Sequence, residues 1–174
     1  DMKRNTWNEY QKDVADDRYY YLRSCIRQNF FPGSEKAFLK ILRQELGRDV
    51  YDDPAHTSCT GIGYHSDIVL HDTIMTVVAR QFSLMNDAGY ENLAVSCITS
   101  FGVYTETLET WHEFPEVEER IHENLRKATG REFTKPKNVA HASDIIFHHR
   151  EAIKQKAKHR LVNKQTGEPL RGVE

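Results

Sequence analysis

The sequence predicts an α/β fold in which a parallel sheet carries helices on both faces. Three observations predict it. Compact apolar or aromatic segments, such as Tyr19-Tyr-Tyr-Leu and Asn92-Leu-Ala-Val, alternate with longer segments whose apolar residues recur at helical spacing. Glycine and proline stand at the joints between them, at Pro32-Gly33, Gly47, Pro54, Gly89, Pro115 and Gly130. Finally, Cys25, Cys59 and Cys97 fall at similar intervals, each closing a short apolar or turn-like segment just before a helix.

Residues 1–18 are polar, with Trp7 and Tyr10 as anchors, and read as an arm that docks on the body or on a partner. The aromatic run from Tyr19 fits a strand ending at Cys25. Phe30-Phe-Pro-Gly33 reads as a turn and Ser34 as the cap of a helix with the stripe Ala37, Phe38, Ile41, Leu42 and Leu46, stopped by Gly47. Asp49-Val-Tyr-Asp is a short strand, and Pro54 turns the chain toward Cys59. Ile74, Val77, Val78, Phe82 and Met85 mark a helix from about Asp67 to Asp87. Asn92 to Cys97 is a strand, and Phe101 to Phe114 a helix. Pro115 then opens a helix through Val117, Ile121, Leu125 and Ala128 to Gly130. Lys135-Pro-Lys-Asn-Val-Ala-His-Ala is a linker running into a short strand, followed by a helix from about Asp144 to Lys158. The domain is therefore expected over 19–160, with the polar stretch 161–174 as a connector to a possible second half. The chain thus reads as a Rossmann-like sheet flanked by helices.

The 174 residues suit one domain, and 39% apolar with 29% charged residues reads as soluble and globular. A net charge of −2 gives no general attraction to nucleic acid. No apolar run approaches the roughly 20 residues that span a bilayer, and the start has no signal-peptide core. An odd count of three cysteines in a chain of this size favours a reducing compartment, with the cytoplasm as default, and thiolate chemistry.

In successive parallel strands, Cys25 and Cys97 both lie at carboxyl ends, the edge where open α/β folds place ligands. Helix starts close by offer free N–H groups to an anion there. Three thiolates from three loops, with Gly61 and Gly63 letting backbone pass close, could hold an iron–sulfur cluster. Three further readings stand beside this one. The cysteines could be inert, buried small hydrophobes. Cys59 with His56, His65 or His71 could take part in a zinc site, although no short-spaced ligand pair supports it. Cys59 could also be a nucleophile with His56 or His65 as its base. His122, His148, His149 and His159 read as surface residues, His141 as a structural residue at a strand end, and Glu116–Glu119 as the acidic first turn of a helix.

Three segments carry a family resemblance: Tyr20 to Lys36 around Cys25, Ser58-Cys-Thr-Gly-Ile-Gly63, and Ala79-Arg80 with Ser96-Cys-Ile-Thr-Ser-Phe-Gly102. Over roughly residues 19–150 their order and spacing resemble the first half of the B-type subunit of heterodisulfide reductase, of the cysteine-rich CCG domain family. The family motif has a lone cysteine, an adjacent Cys-Cys and a final C-x-x-C, and it binds a non-cubane iron–sulfur centre. Here Thr60 stands where the second adjacent cysteine belongs and Ser100 where the final one belongs. The resemblance then implies Cys25, Cys59 and Cys97 as metal ligands of a [4Fe-4S] cluster, its fourth iron open or held by Ser100 or a partner. It implies an oxidoreductase subunit that relays electrons within a heterodisulfide-reductase-like complex, to or from a disulfide, thiol or sulfur substrate. The alternative is a cofactor-free docking subunit of such a complex. The B-type subunit has two such halves, so the chain is expected to be a fragment or to find its second half elsewhere.

Overall fold

The computed structural model describes residues 14, 17–56, 59–156 and 165–168; the expected arm around Trp7 and Tyr10 and the expected connector from Leu161 lie almost wholly outside them. Four strands make one sheet: β1 (Arg18–Leu22), β2 (Asp49–Tyr51), β3 (Asn92–Val95) and β4 (Asn138–His141). They run in the order β2-β1-β3-β4 and every pairing is parallel. Parallel neighbours need crossovers, and helices supply them. In chain order these are α1 (Cys25–Phe30), α2 (Pro32–Lys40, continued by a π-helical turn Ile41–Glu45), α3 (Gly61–His65), α4 (His71–Asp87), α5 (Ile98–Glu113), α6 (Pro115–Thr129), α7 (Ala142–His148) and α8 (Arg150–Lys156). The α/β class expected from the alternation is the one observed.

Side chains alternate across a strand, so the three tyrosines of β1 divide between two cores. Tyr20 joins Leu22, Leu93, Val95 and Val139 beneath α4, α5 and α6, which contribute Val78, Phe82, Tyr104, Trp111, Ile121 and Leu125. Tyr19 and Tyr21 join Val50, Ala94 and Ala140 against Phe38, Leu42 and Ile145. A strand covered on both faces tolerates a continuous aromatic run, which is why Tyr19-Tyr-Tyr is unbroken by polar residues.

The boundaries differ from the sequence expectation where strands hand over to helices. β1 stops at Leu22, because Ser24 is an N-cap whose hydroxyl accepts the Arg27 N–H at 3.2 Å. Cys25 therefore opens a helix and does not close a strand. The expected turn at Phe30-Phe-Pro-Gly33 is mostly helical: α1 runs to Phe30, and Pro32 occupies the first turn of α2. Cys97 likewise caps α5, which starts at Ile98, ahead of the expected Phe101. The helix expected from about Asp67 starts at His71, and Asp67, with a positive φ of 54°, lies between it and the unexpected short α3. The last helix also divides, at His149.

Candidate functional site

β1 and β3 are the central pair, and the chain leaves them in opposite directions, to β2 on one side and β4 on the other. That is a topological switch point, and the crevice lies outside the carboxyl ends of these strands. Cys25 follows β1, Cys59 follows β2 and Cys97 follows β3, so all three leave the same edge. Cys25 Sγ stands 3.6 Å from Cys59 Sγ and donates to it. Both residues are exposed, while Cys97 is half-buried. None of the three is an inert core cysteine.

Their environments differ. Partial burial pushes the Cys25 thiol up, helped by its bond to Cys59 and by the neighbouring Cys59 and Cys97 charges. Burial also works against the Cys97 thiolate. The N–H and hydroxyl groups of Ser100 and Thr99 outweigh it and leave Cys97 below its ordinary value. These groups belong to the first turn of α5, where free N–H groups and the dipole both favour an anion. Ser100 thus sits, nearly buried, with its hydroxyl on the Cys97 sulfur. Thr60 is buried with Oγ1 lacking any hydrogen-bond partner among the described residues.

The loops carrying the thiols are fixed from below. Glu35, buried in the first turn of α2, accepts on Oε1 from the Ser24 N–H at 2.8 Å, the Tyr21 hydroxyl at 3.1 Å and the Ser96 hydroxyl at 3.0 Å. One carboxylate oxygen therefore ties the residue before Cys25 to the residue before Cys97. The loop to Cys59 is held by Arg23–Asp52 at 2.5 Å, Tyr20–Asp53 at 2.8 Å and His56–Gln81 at 2.7 Å. Glu35, Asp53 and Gln81 were not expected from the sequence. The one available signal is the Ser-Cys pair at all three sites, Ser24-Cys25, Ser58-Cys59 and Ser96-Cys97.

The expected histidine partners of Cys59 are engaged elsewhere. His56 is buried between Gln81 and the backbone of Arg23. His65 Nε2 lies 3.4 Å from the Thr99 carbonyl, and His71 pairs with Asp67 at 3.1 Å while stacking on Tyr64. His149, expected at the surface, is buried. His141 caps α7, its Nδ1 taking the Ser143 N–H, and packs against Phe101. A cleft lined by Arg18, Tyr90 and Asn92 opens at the opposite, amino edge of the sheet, away from every cysteine.

His56 gives a pH test. Burial holds its imidazole below the ordinary value, against Gln81 and the Arg23 backbone, which favour the charged ring. A histidine kept neutral in the fold contributes fully above its unfolded pKa of about 6.5 and loses that contribution as pH falls toward its folded value. His141 is shifted the same way, chiefly by burial. Unfolding free energies from urea titrations are expected to decline between about pH 7 and pH 5, above the carboxylate range. His56→Gln is expected to flatten that slope, and an unchanged slope would contradict the assignment.

Among the described residues, no group of three or more Cys, His, Asp and Glu side chains stands in metal-binding array. The donor set nonetheless suits iron–sulfur ligation. Three soft sulfurs meet at one edge, and donors around Cys97 favour its thiolate form. Cys25, Cys59 and Cys97 are the residues that would hold such a cluster. Gly61 and Gly63 serve a different approach from the one expected. A Cβ on Gly61 would lie 2.8 Å from Thr99 Cγ2, and one on Gly63 3.1 Å from Val69 Cγ2. They let α3 pack closely on α5 and on its own following loop.

Fold and site together define a parallel α/β protein that gathers three thiols at the switch point of its sheet. No family model matches the chain. The chain is a distant relative of the B-type subunit of heterodisulfide reductase: it is 23% identical over 154 residues to that subunit of the ferredoxin:CoB-CoM heterodisulfide reductase of Methanosarcina acetivorans. The match covers 84% of this chain and 49% of that protein, so the chain spans about half the length of that relative. A crystal structure of a hypothetical protein from Helicobacter pylori shares the fold, with a TM-score of 0.57 and 13% identity, over 94% of this chain and 33% of that one.

Proposed function

We propose that this chain is an iron–sulfur redox subunit of a heterodisulfide-reductase-like complex, exchanging electrons with a disulfide, thiol or sulfur substrate. The observation that supports it is the meeting of Cys25, Cys59 and Cys97 at one sheet edge, in a relative of the heterodisulfide reductase B-type subunit. These three residues would hold the cluster, which when bound supplies a one-electron couple and an iron able to take a sulfur ligand. The chain's own groups do the rest. Ser100 and Thr99 favour the Cys97 thiolate, Glu35 holds two of the ligand-bearing loops, and Ser100 has a hydroxyl at the place of the family motif's final cysteine. Among the described residues no helix is long and apolar enough to cross a membrane.

Anaerobic purification followed by iron and acid-labile sulfide counts tests this reading. About four of each per chain, with visible absorbance lost in Cys25→Ser, Cys59→Ser and Cys97→Ser, is the expected result. Fresh anaerobic protein lacking both elements would leave the cofactor-free docking subunit as the surviving account.

A further inference from the structure

Two aromatic clusters belong to the core beneath α4, α5 and α6, and they differ in where a phenol proton can go. Around Phe82, the Tyr104 hydroxyl and the Trp111 indole N–H are buried without hydrogen-bond partners among the described residues. The second cluster joins Tyr20, Tyr51 and Tyr90. Its ring centroids lie 5.8 Å (Tyr20–Tyr51), 6.4 Å (Tyr20–Tyr90) and 5.7 Å (Tyr51–Tyr90) apart, the last pair stacked at 17°. Here the hydroxyls of Tyr20 and Tyr90 each donate to a carboxylate at 2.8 Å, to Asp53 Oδ2 and to Asp49 Oδ1. Each of these phenols therefore has a proton acceptor within transfer distance. Tyr21 also donates to a carboxylate, that of Glu35, but its ring neighbour is Phe38, which has no phenol proton to pass on.

The three tyrosines connect the two edges of the sheet. Asp53 lies just past the carboxyl end of β2, in the loop to Cys59, and is buried. Asp49 opens β2 and Tyr90 precedes β3, both at the amino edge, where Tyr90 lines the cleft with Arg18 and Asn92. Arg18 Nε binds the other Asp49 oxygen at 3.0 Å and so fixes the carboxylate that the Tyr90 hydroxyl uses.

We propose that Tyr20, Tyr51 and Tyr90 form a one-electron outlet, which carries an oxidising equivalent from the carboxyl edge of the sheet to a reductant in the amino-edge cleft. The oxidant is an oxygen-centred radical of the peroxyl class, ROO•, and the reductant is a small enediol such as ascorbate. Tyr20 gives one electron to ROO•, which takes a proton from solvent and becomes ROOH, while the phenol proton of Tyr20 shifts to Asp53. The Tyr20 radical then draws an electron from Tyr90, directly or through the Tyr51 ring, and recovers its proton from Asp53. The Tyr90 proton shifts to Asp49. Ascorbate in the cleft returns one electron to Tyr90, Asp49 returns the proton, and ascorbate releases one proton to solvent as it becomes its radical. The protein ends unchanged. A phenol yields an electron only to a strong oxidant, so this outlet is separate from the electron exchange proposed for the thiol edge and does not rest on it.

The test uses the full metal-free chain with Cys25→Ser and Cys97→Ser, checked for fold by circular dichroism, with a ruthenium polypyridyl complex linked to Cys59. A laser flash with a cobalt(III) ammine as electron acceptor makes a Ru(III) oxidant at the carboxyl edge. Transient absorption then follows the recovery of Ru(III) and the tyrosyl radical. In this parent chain Ru(III) is expected to recover as a tyrosyl signal rises, more slowly in D2O, and ascorbate is expected to quench that signal. Tyr20→Phe is expected to slow Ru(III) recovery at least about tenfold. Tyr90→Phe removes a hydroxyl at the cleft, away from the core, and is expected to leave Ru(III) recovery unchanged while slowing ascorbate quenching several-fold. Phenols with a purely structural role predict neither effect. Recovery at the parent rate in Tyr20→Phe, quenching at the parent rate in Tyr90→Phe, or recovery indifferent to D2O each overturns the relay. If Tyr20→Phe does not fold, the Tyr90→Phe and D2O measurements decide. Iron is absent throughout, so failure here leaves the iron and sulfide counts to decide the metal centre independently.

Discussion

Glu35→Ala is expected to cost the fold about 2–4 kcal/mol in urea or thermal unfolding, against a total stability of about 5–15 kcal/mol for a domain of this kind. Burial sets the scale: Glu35 is 7% exposed, and a carboxylate survives there because three donors and the start of a helix compensate its lost hydration. Truncation leaves the Ser24 N–H, the Tyr21 hydroxyl and the Ser96 hydroxyl without their shared acceptor. Ser96 retains the Leu22 carbonyl at 3.3 Å and the Tyr21 hydroxyl retains Ser96, so the full penalty of about 1–3 kcal/mol for a stranded group falls on the Ser24 N–H. Glu35→Gln keeps an acceptor oxygen without the charge and is expected to lose about half as much. The substitution should also act beyond stability. Ser24 and Ser96 precede Cys25 and Cys97, so freeing them loosens both thiol-bearing loops. Cluster loading, measured as iron and sulfide per folded molecule, is therefore expected to fall. A cost under about 1 kcal/mol would show that something other than this carboxylate joins the two strand ends.

The sequence made the layout of the sheet legible and concealed the ways its edge is built. Alternating periodicities located each strand and the longer helices, and parallel topology followed from the helical crossovers between strands. From that layout the meeting of three distant cysteines could be read. Element ends were harder, because a capping serine or cysteine directly after an apolar run looks like more strand until its hydroxyl or backbone is seen to turn. The five-residue α3, with Gly61 and Gly63 in it, has no propensity signal at all. Packing of Thr99 and Val69 against those glycines holds it. Glu35 was hidden for a further reason. Its three donors come from β1, the cap of α1 and the end of β3, and no local pattern links a helix-surface glutamate to them. His149 read as a surface residue because its neighbour His148 and the basic turns after it are polar, whereas the break between α7 and α8 turns it inward.

Phe82→Ala is expected to be similarly costly, about 3–5 kcal/mol, but to leave the chemistry of the edge intact. Phe82 is fully buried on α4, with its ring 5.6 Å from Tyr104, 6.1 Å from Trp111 and 6.2 Å from Phe133, mostly edge to face. Removing it takes away the centre of an aromatic cluster that joins α4 and α5 to the loop before β4, a cluster that rigid strands and helices on every side cannot collapse to fill. Two neighbours set the expected value near the lower end. Tyr104 Oη and Trp111 Nε1 are buried without hydrogen-bond partners among the described residues, so a water entering the new space gains polar contacts that an all-apolar cavity would deny it. The groups of α4 and α5 nearest the thiols, Gln81 against His56 and the first turn of α5 at Cys97, keep their own bonds when the Phe82 ring is removed. At temperatures where the variant remains folded, iron and sulfide per folded chain are therefore expected at the wild-type level. Loss of iron from the folded variant would mean that the aromatic layer, and not the Glu35 carboxyl group, sets the position of the three sulfurs.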